Sequence, residues 1–355
     1  MLSRGLHFTD IHFGKKSNSP VHLQDCTNFI DWVCDYVKDP SNNIDYIAFL
    51  GDWFENRINI NIFTLQTSHE NAEKLNNLGV PVYFVVGNHD LAERNSREYY
   101  STFPMSAFDN FVIVDEPMER TEIVGGVLFS PFLMKDEYSK LSSSCAVWAG
   151  HFEFKGFILT GSSVRLEHGP DASAFSHVRA ILSGHFHKRQ SSGNVHYIGN
   201  TFPMDFGDSR DYERGFAVYD HNLHTIEYVN WVNGPRYLST TVSRLKDGTD
   251  TIPANAHVYV DVDCSLSYSD LRALQDSLRT SHPTIRSLEF NENSTNIKEL
   301  AQLNATGDLA VLEDSVTTQT VTSTALGDII MNLLQTTDIP SYDNALLLDI
   351  YKEVV

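Results

Sequence analysis

The chain reads as an α/β protein of the α+β kind: a layered β-sandwich flanked by helices, then a small α+β module and a C-terminal helical tail. Three features of the sequence lead there. In the first 235 residues, short apolar runs alternate with segments of helical periodicity, a β-α-β rhythm that builds a buried sheet with helices packed on it. From about residue 111 the apolar runs succeed one another with little helix between them, which calls for a second, mostly β layer. Around Asn233-Gly-Pro235 the pattern breaks and restarts on a smaller scale.

Taken in order, Leu6-His-Phe8 is the first short apolar run, and residues 23–38 put Phe29, Ile30, Val33, Cys34 and Val37 on one face at helical spacing. Tyr46-Ile-Ala-Phe-Leu-Gly-Asp52 reads as the next strand, residues 62–78 as a helix, and Val80-Pro-Val-Tyr-Phe-Val-Val-Gly-Asn88 as a third strand. Further strands are expected at 111–114, 123–129, 145–152, 178–184, 195–198, 214–220 and 224–232. In the module, residues 256–263 alternate as a strand should, 268–279 are helical and 284–290 form another strand. Residues 315–324 form a polar, Thr-rich linker. Beyond it come two short amphipathic segments, one carrying Leu326, Ile329, Ile330, Leu333 and Leu334 and the other residues 345–350, split by Pro340. The expected division is 1–235, 236–295, a linker over 296–325 and a tail over 326–355.

With 355 residues, 41% of them hydrophobic, the chain has material for a sizeable core. No apolar run approaches the roughly 18 residues that a spanning helix needs, and the first residues lack the apolar core of a signal peptide. A cytoplasmic location without membrane contact is therefore expected. Cys26, Cys34, Cys145 and Cys264 form no C-x-x-C pair, which favours reduced core thiols. The formal charge is −20, from 26 Lys and Arg against 46 Asp and Glu. Such acidity argues against a stand-alone nucleic-acid binder, because those proteins neutralise phosphates with basic patches.

Five short motifs stand at or near expected strand ends: Asp10-Ile-His12, Gly51-Asp52, Gly87-Asn-His-Asp90, Gly150-His151 and Gly184-His-Phe-His187. Each alone is weak, since a single His beside a strand is an ordinary core or surface residue. Their conjunction decides. Together they supply carboxylate, amide and imidazole donors without one thiolate, a set suited to ions such as Mn²⁺ or Fe²⁺ and less exclusively to zinc. Seven candidate ligands, Asp10, His12, Asp52, Asn88, His151, His185 and His187, exceed what one ion takes, whereas two ions sharing a carboxylate account for them. The glycines before Asp52, Asn88, His151 and His185 are expected to let the backbone turn sharply at the strand ends.

On these motifs the chain resembles the calcineurin-like metallophosphoesterases. More narrowly, it resembles the SbcD-type nuclease subunit of double-strand-break repair complexes and the recombination endonuclease subunit of large bacteriophages. The stretch Tyr197-Ile-Gly-Asn-Thr-Phe-Pro-Met-Asp-Phe-Gly-Asp208, with Glu213-Arg-Gly-Phe216, extends the likeness over about two thirds of the chain. The resemblance implies that Asp10, His12 and His187 hold a first ion, that Asn88, His151 and His185 hold a second, and that Asp52 bridges them. It also implies that His89 faces the phosphate as the catalytic group that protonates or stabilises the departing oxygen, with Asp90 orienting its ring. The cofactor is then a pair of divalent ions, Mn²⁺ first, and the reaction is two-metal hydrolysis of a phosphodiester in DNA, exonucleolytic or endonucleolytic, in repair and recombination. The partners implied are DNA, a coiled-coil ABC-type ATPase of the SbcC kind and a second copy of the chain, with the module over 236–295 capping the site and the tail docking on the ATPase. Trp53-Phe-Glu55 departs from the apolar-Phe-Asp more usual in the nucleases. Asn56-Arg57-Ile58 and Asp90 depart from the phosphoprotein phosphatases, which weakens a phosphatase or small-nucleotide esterase as the alternative. A non-catalytic scaffold would have lost ligands, and none is missing.

Two further segments carry expectations. Asp208, Arg210, Asp211, Glu213 and Arg214 read as a solvated mixed-charge loop, with Arg210 and Arg214 touching the DNA backbone as the alternative. From Glu299 to Val355 there are nine acidic residues and one basic, Lys352. The acidity is thus concentrated away from the motifs, and the expectation sharpens to a nuclease that binds DNA weakly by itself and draws affinity from bound metal, dimerisation and a more basic partner.

Overall fold

The computed structural model describes residues 1–159 and 164–291. The linker and the docking tail expected beyond residue 295 lie outside the described residues.

Two six-stranded sheets pack face to face. The first runs in the order Thr225–Asn230, Gly215–Asp220, Arg4–Phe8, Tyr46–Phe49, Val82–Val85, Phe111–Val114. Its four strands from Arg4–Phe8 onward are parallel, and Gly215–Asp220 and Thr225–Asn230 close it as an antiparallel hairpin. The second sheet runs Gln190–Ser192, Val195–Tyr197, Ala180–Ser183, Val147–Gly150, Val127–Ser130, Met118–Arg120, with a parallel centre and an antiparallel strand at each edge.

The period-two alternation of strands sorts the side chains into layers. Leu6, Phe8, Ile47, Phe49, Val82 and Phe84 turn outward onto the helices Pro20–Lys38 and Ile62–Asn76, where Phe29, Ile30, Val33, Ala72 and Leu75 meet them. Tyr46, Ala48, Tyr83 and Val85 turn inward against Phe129, Val147, Ala149 and Leu182 of the second sheet. The second sheet buries its outer face, Trp148, Ile181 and Tyr197 among it, under the loop residues Phe152 and Phe154 and under Phe175 of the short 3-10 helix Ala172–Phe175 rather than under α-helices. That is why its sequence shows strands with little helix between them. Both helices start on side-chain caps, Ser19 accepting from the amide of His22 and Asn61 from that of Phe63.

The module is a three-stranded parallel sheet, Arg236–Thr241, Ala256–Asp261 and Ser287–Asn291, with the helix Tyr268–Ser281 crossing between the last two strands. Leu238, Val242, Val258, Val260, Leu271 and Leu288 form its core.

Three local expectations need correction. The loop at 208–214 is solvated only in part: Arg210 and Glu213 are exposed, but Asp208 and Arg214 are buried. Arg214 is buried, its guanidinium shared among Asp208, Asp211 and Asn200, because a guanidinium taken from water must have its donors paired. Arg210, although exposed, reaches Asp250 and the Ser239 carbonyl of the module, so this loop ties the module to the sandwich. The resemblance also implies that two copies pair through helices near this point, whereas the segment after Gly87-Asn-His-Asp90 is a β-hairpin, Leu91–Glu93 with Ser96–Tyr100, followed by the short 3-10 helix Phe103–Ala107.

Candidate metal centre

The parallel strands of both sheets end side by side, and every motif residue follows one of those ends. Asp10 and His12 follow Arg4–Phe8, Asp52 follows Tyr46–Phe49, Asn88 and His89 follow Val82–Val85, His151 follows Val147–Gly150, and His185 and His187 follow Ala180–Ser183. The first two motif loops run alongside each other, with the amides of Asp10, His12 and Phe13 donating to the carbonyls of Gly51, Asp52 and Trp53.

All seven candidate ligands converge. His12 Nε2 lies 3.1 Å from His187 Nε2, and each is 3.8 Å from Asp10 Oδ1. On the other side, Asn88 Oδ1 is 3.0 Å from His151 Nε2 and 2.8 Å from His185 Nδ1. Between the halves, Asp52 Oδ2 is 3.4 Å from His151 Nε2 and 3.9 Å from His12 Nε2, while its Oδ1 accepts from the His89 amide.

The donors fit divalent cations. Asp10 Oδ1 is buried without a hydrogen-bond partner, although Oδ2 of the same carboxylate accepts from Thr9 Oγ1 and the His185 amide. An orphaned buried carboxylate oxygen costs about 1–3 kcal/mol or more unless something cationic takes it. Donor atoms 3–4 Å apart are spaced as ligands of one ion are when each bond is about 2.0–2.2 Å.

The protonation of the centre points the same way. Burial disfavours charge at His12, yet Asp10 and Glu55 outweigh it and push this imidazole up to about 10. His151 is likewise driven by Asp52, against burial, up to about 9. Burial lowers His187 to about 3 and also lowers His185. Burial raises the Asp52 carboxyl, but His151 and His12 hold it well below the usual range. Protons thus occupy the places that cations would take, and metal entry has to release them.

The preceding glycines act differently from expectation. Gly51 alone among the four has a left-handed φ, +101°, and the tight turns are taken by the ligands themselves: Asp10 at +54°, His12 at +52°, Asp52 at +62° and His185 at +89°. The other glycines are needed for close approach. A Cβ on Gly87 would stand 2.2 Å from Asp52 Oδ1, one on Gly184 2.1 Å from Thr9 Oγ1, and one on Gly150 2.3 Å from the Ser130 carbonyl.

Asp90 is also placed otherwise than expected. Its buried carboxylate accepts from the amides of Asp52, Trp53, Phe54 and Gly87, pinning two motif loops together, and burial followed by the nearby Asp52 raises it to about 7. The His89 ring is held instead by the Glu55 carbonyl, 2.9 Å from Nδ1, and stands edge-on to His12 with ring centres 5.0 Å apart.

Sequence reasoning passed over two carboxylates. Glu55 Oε2 lies 2.8 Å from His12 Nδ1, and Glu153 Oε2 lies 3.1 Å from His185 Nε2. Glu55 was visible as a departure from the nuclease pattern. Glu153, two residues after His151, carries no motif. His12, Glu55 and His89 also lie close enough to share an ion, with His12 Nδ1 and Glu55 Oε2 in contact at 2.8 Å.

A sandwich of two mixed sheets with this donor set at its strand ends defines a metal-dependent phosphoesterase. The family model for calcineurin-like phosphoesterases matches residues 4–189, more than half of the chain, and the chain belongs to that family. It is a metal-dependent hydrolase of phosphodiester bonds. It is also similar to exonuclease subunit 1 of Enterobacteria phage T4, with 25% identity over 300 residues that cover 81% of this chain and 86% of that protein. Among the described residues no helix is long and apolar enough to cross a membrane.

Proposed function

We propose that the chain is a Mn²⁺-dependent DNA nuclease that works with two divalent ions and forms the catalytic subunit of an ATPase-nuclease complex in DNA repair and recombination. The observation that carries the reading is the position of Asp52 Oδ2 between two separate donor groups, Asp10 with His12 and His187, and Asn88 with His151 and His185. When bound, the ions supply polarisation of the phosphoryl oxygens and acidification of a water. The protein's own work is to hold those donors on a backbone fixed by Asp90 and to present His89. With Nδ1–H donating to the Glu55 carbonyl, Nε2 is the ring nitrogen left to face the phosphate, and it gives a proton to the departing oxygen from the doubly protonated ring, leaving the neutral ring with its proton on Nδ1.

The similarity to a phage exonuclease subunit supports a DNA substrate and a multi-subunit assembly. The exposed Ile62 and Phe63 on the first turn of the helix Ile62–Asn76, with the exposed Ile58 four residues before it, support a second copy as a partner, since exposed apolar side chains close in sequence are candidates for a contact surface. The module over 236–295 caps the site and helps choose substrate, and the acidic tail over 326–355 docks on the ATPase.

The test is hydrolysis of duplex DNA bearing 3′ ends, with Mn²⁺ and with the ATPase present. His89→Ala should lose about 10²–10⁴-fold in rate while still taking up two ions, and Asp52→Asn should take up fewer than two. Equal rates for wild type and His89→Ala, or no hydrolysis by wild type under these conditions, overturns the reading.

A further inference from the structure

We propose that Glu153 is the positioning residue of the second half of the centre: it holds the His185 ring so that Nδ1 faces the ion site and Nε2 faces away. This rests on the two-ion reading above. His185 has Nδ1 2.8 Å from Asn88 Oδ1 and Nε2 3.1 Å from Glu153 Oε2. The two ring nitrogens point in divergent directions, so a carboxylate that takes the proton on Nε2 leaves the lone pair of Nδ1 aimed at the Asn88 side. A half-turn of the ring about its bond to Cβ would put carbon at both places and forfeit both contacts.

The carboxylate is anchored well enough to do this. The Glu153 amide donates to the hydroxyl of the buried Tyr138 at 2.7 Å, and Oε1 lies 3.4 Å from His168 Nε2. Arg94 reaches Oε2 at 3.3 Å from the hairpin beyond the Gly87-Asn-His-Asp90 loop. Phe186 and Phe132 flank the His185 ring at 4.9 Å and 5.6 Å between centres and limit where it can swing. The side chains of Arg94 and His168 are 60% and 76% exposed, that of Glu153 only 15%. The interior imidazole is therefore the partner that Glu153 serves, and the two exposed cations are its outer braces.

The test is titration of the metal-free full-length chain with Mn²⁺ in a calorimeter, repeated with Co²⁺ while following its visible absorption. Wild type, Glu153→Ala, Glu153→Gln and Arg94→Ala are compared after circular dichroism has established folding. Loss of a partner that orients a ligand histidine costs about 10–100-fold in metal affinity. Glu153→Ala should therefore weaken one of two ions by at least tenfold and alter the Co²⁺ spectrum of that ion. Glu153→Gln, which keeps an acceptor oxygen but loses the charge, should fall between, and Arg94→Ala should stay within twofold of wild type. If Glu153→Ala does not fold, Glu153→Gln decides. Two ions bound with affinities within twofold of wild type in the folded variants overturns this proposal alone, whereas fewer than two ions bound by wild type overturns it together with the two-ion reading.

Discussion

The loops at the sheet ends and the module over 236–291 are built on opposite terms. Around the donor groups, left-handed φ values fall on Asp10, His12, Asp52 and His185, a carboxylate oxygen is orphaned, and a Cβ on any of several glycines would collide with neighbouring atoms. In the module, Val258 and Val260 alternate with half-buried neighbours along a parallel strand, and Ser267 caps the next helix in the ordinary way. The loops hold conformations that cost stability at each residue and persist only because the surrounding sandwich determines them. The module carries far less of that kind, Asn255 at +57° being its one non-glycine residue with a left-handed φ among the described residues, so damage to it should appear as lost stability, and damage to the loops as lost chemistry.

The sharpest test of this contrast is Gly87→Ala. The new methyl group would meet Asp52 Oδ1 at 2.2 Å and the Asp52 amide at 2.3 Å, so the residue between the two donor groups must move. A displacement near 1 Å at such a centre costs on the order of 10²-fold in rate. The expected result is that loss together with weakened Mn²⁺ uptake, with a stability loss of about 1–3 kcal/mol because backbone has to move. A thermal midpoint that collapses while the folded fraction keeps its specific activity would erase the distinction.

Leu238→Ala makes the opposite cut. Leu238 is 2% exposed in the module core, and truncation of a buried leucine costs about 2–5 kcal/mol. Urea unfolding should register that loss, and the folded variant should still bind Mn²⁺ with wild-type affinity. Weakened binding in the folded variant would mean that the module's packing reaches the ions.

What was legible in the sequence follows the same divide. The central strands, the two long helices and the strand-helix-strand run of 256–291 could be read because burial on one face imposes a period on the residues, whereas Arg236–Thr241 and the second sheet's edge strands Met118–Arg120 and Gln190–Ser192, half-buried or short, could not. The donor set could be read because ligand chemistry allows few residue types. The roles of Gly87, Asp90 and Glu153 could not. Each depends on an atom from a segment distant in sequence: Asp52 beside Gly87, the 52–54 amides around Asp90, His185 beyond Glu153. Arg214 misled for a related reason, because a run of alternating charges looks the same whether water or buried carboxylates surround it. Its neighbours Asp208 and Asp211 are near in sequence, but its burial comes from elsewhere in the fold.

A smaller effect is expected where the two regions meet. Arg286 Nη1 lies 2.7 Å from both oxygens of Asp25, on the helix Pro20–Lys38, and Asp25 is 5% exposed. Arg286→Ala leaves that carboxylate buried without its cation, at a cost of about 1–3 kcal/mol. Denaturant unfolding should show this loss, and Asp25→Asn combined with Arg286→Ala should recover part of it. No recovery would mean that Arg286 acts through packing instead of charge.

The weakest expected effect concerns pH and lies inside the sandwich, away from the ions. Burial, then His221, pulls His7 down to about 3, and burial pulls His221 down to about 4. Both pack against Tyr46, whose hydroxyl is 2.7 Å from His221 Nε2 and 3.4 Å from His7 Nε2. Folded-state values below the ordinary 6.5 mean that the unfolded chain takes up protons that the folded chain refuses, so these groups give up stability as pH falls from about 6.5 toward 4. The limiting slope is about 1.4 kcal/mol per pH unit for each histidine. His12 and His151, raised in the metal-free chain, act with the opposite sign and lose stability as pH rises. The informative quantity is therefore the difference between wild type and His221→Asn in urea midpoint at pH 7.0 and pH 5.5, in which the ion-site histidines cancel. Wild type should lose more stability than the variant over that interval. Equal losses would mean that His221 takes up its proton as readily in the folded chain as in the unfolded one, so that its burial against Tyr46 contributes nothing to the pH dependence.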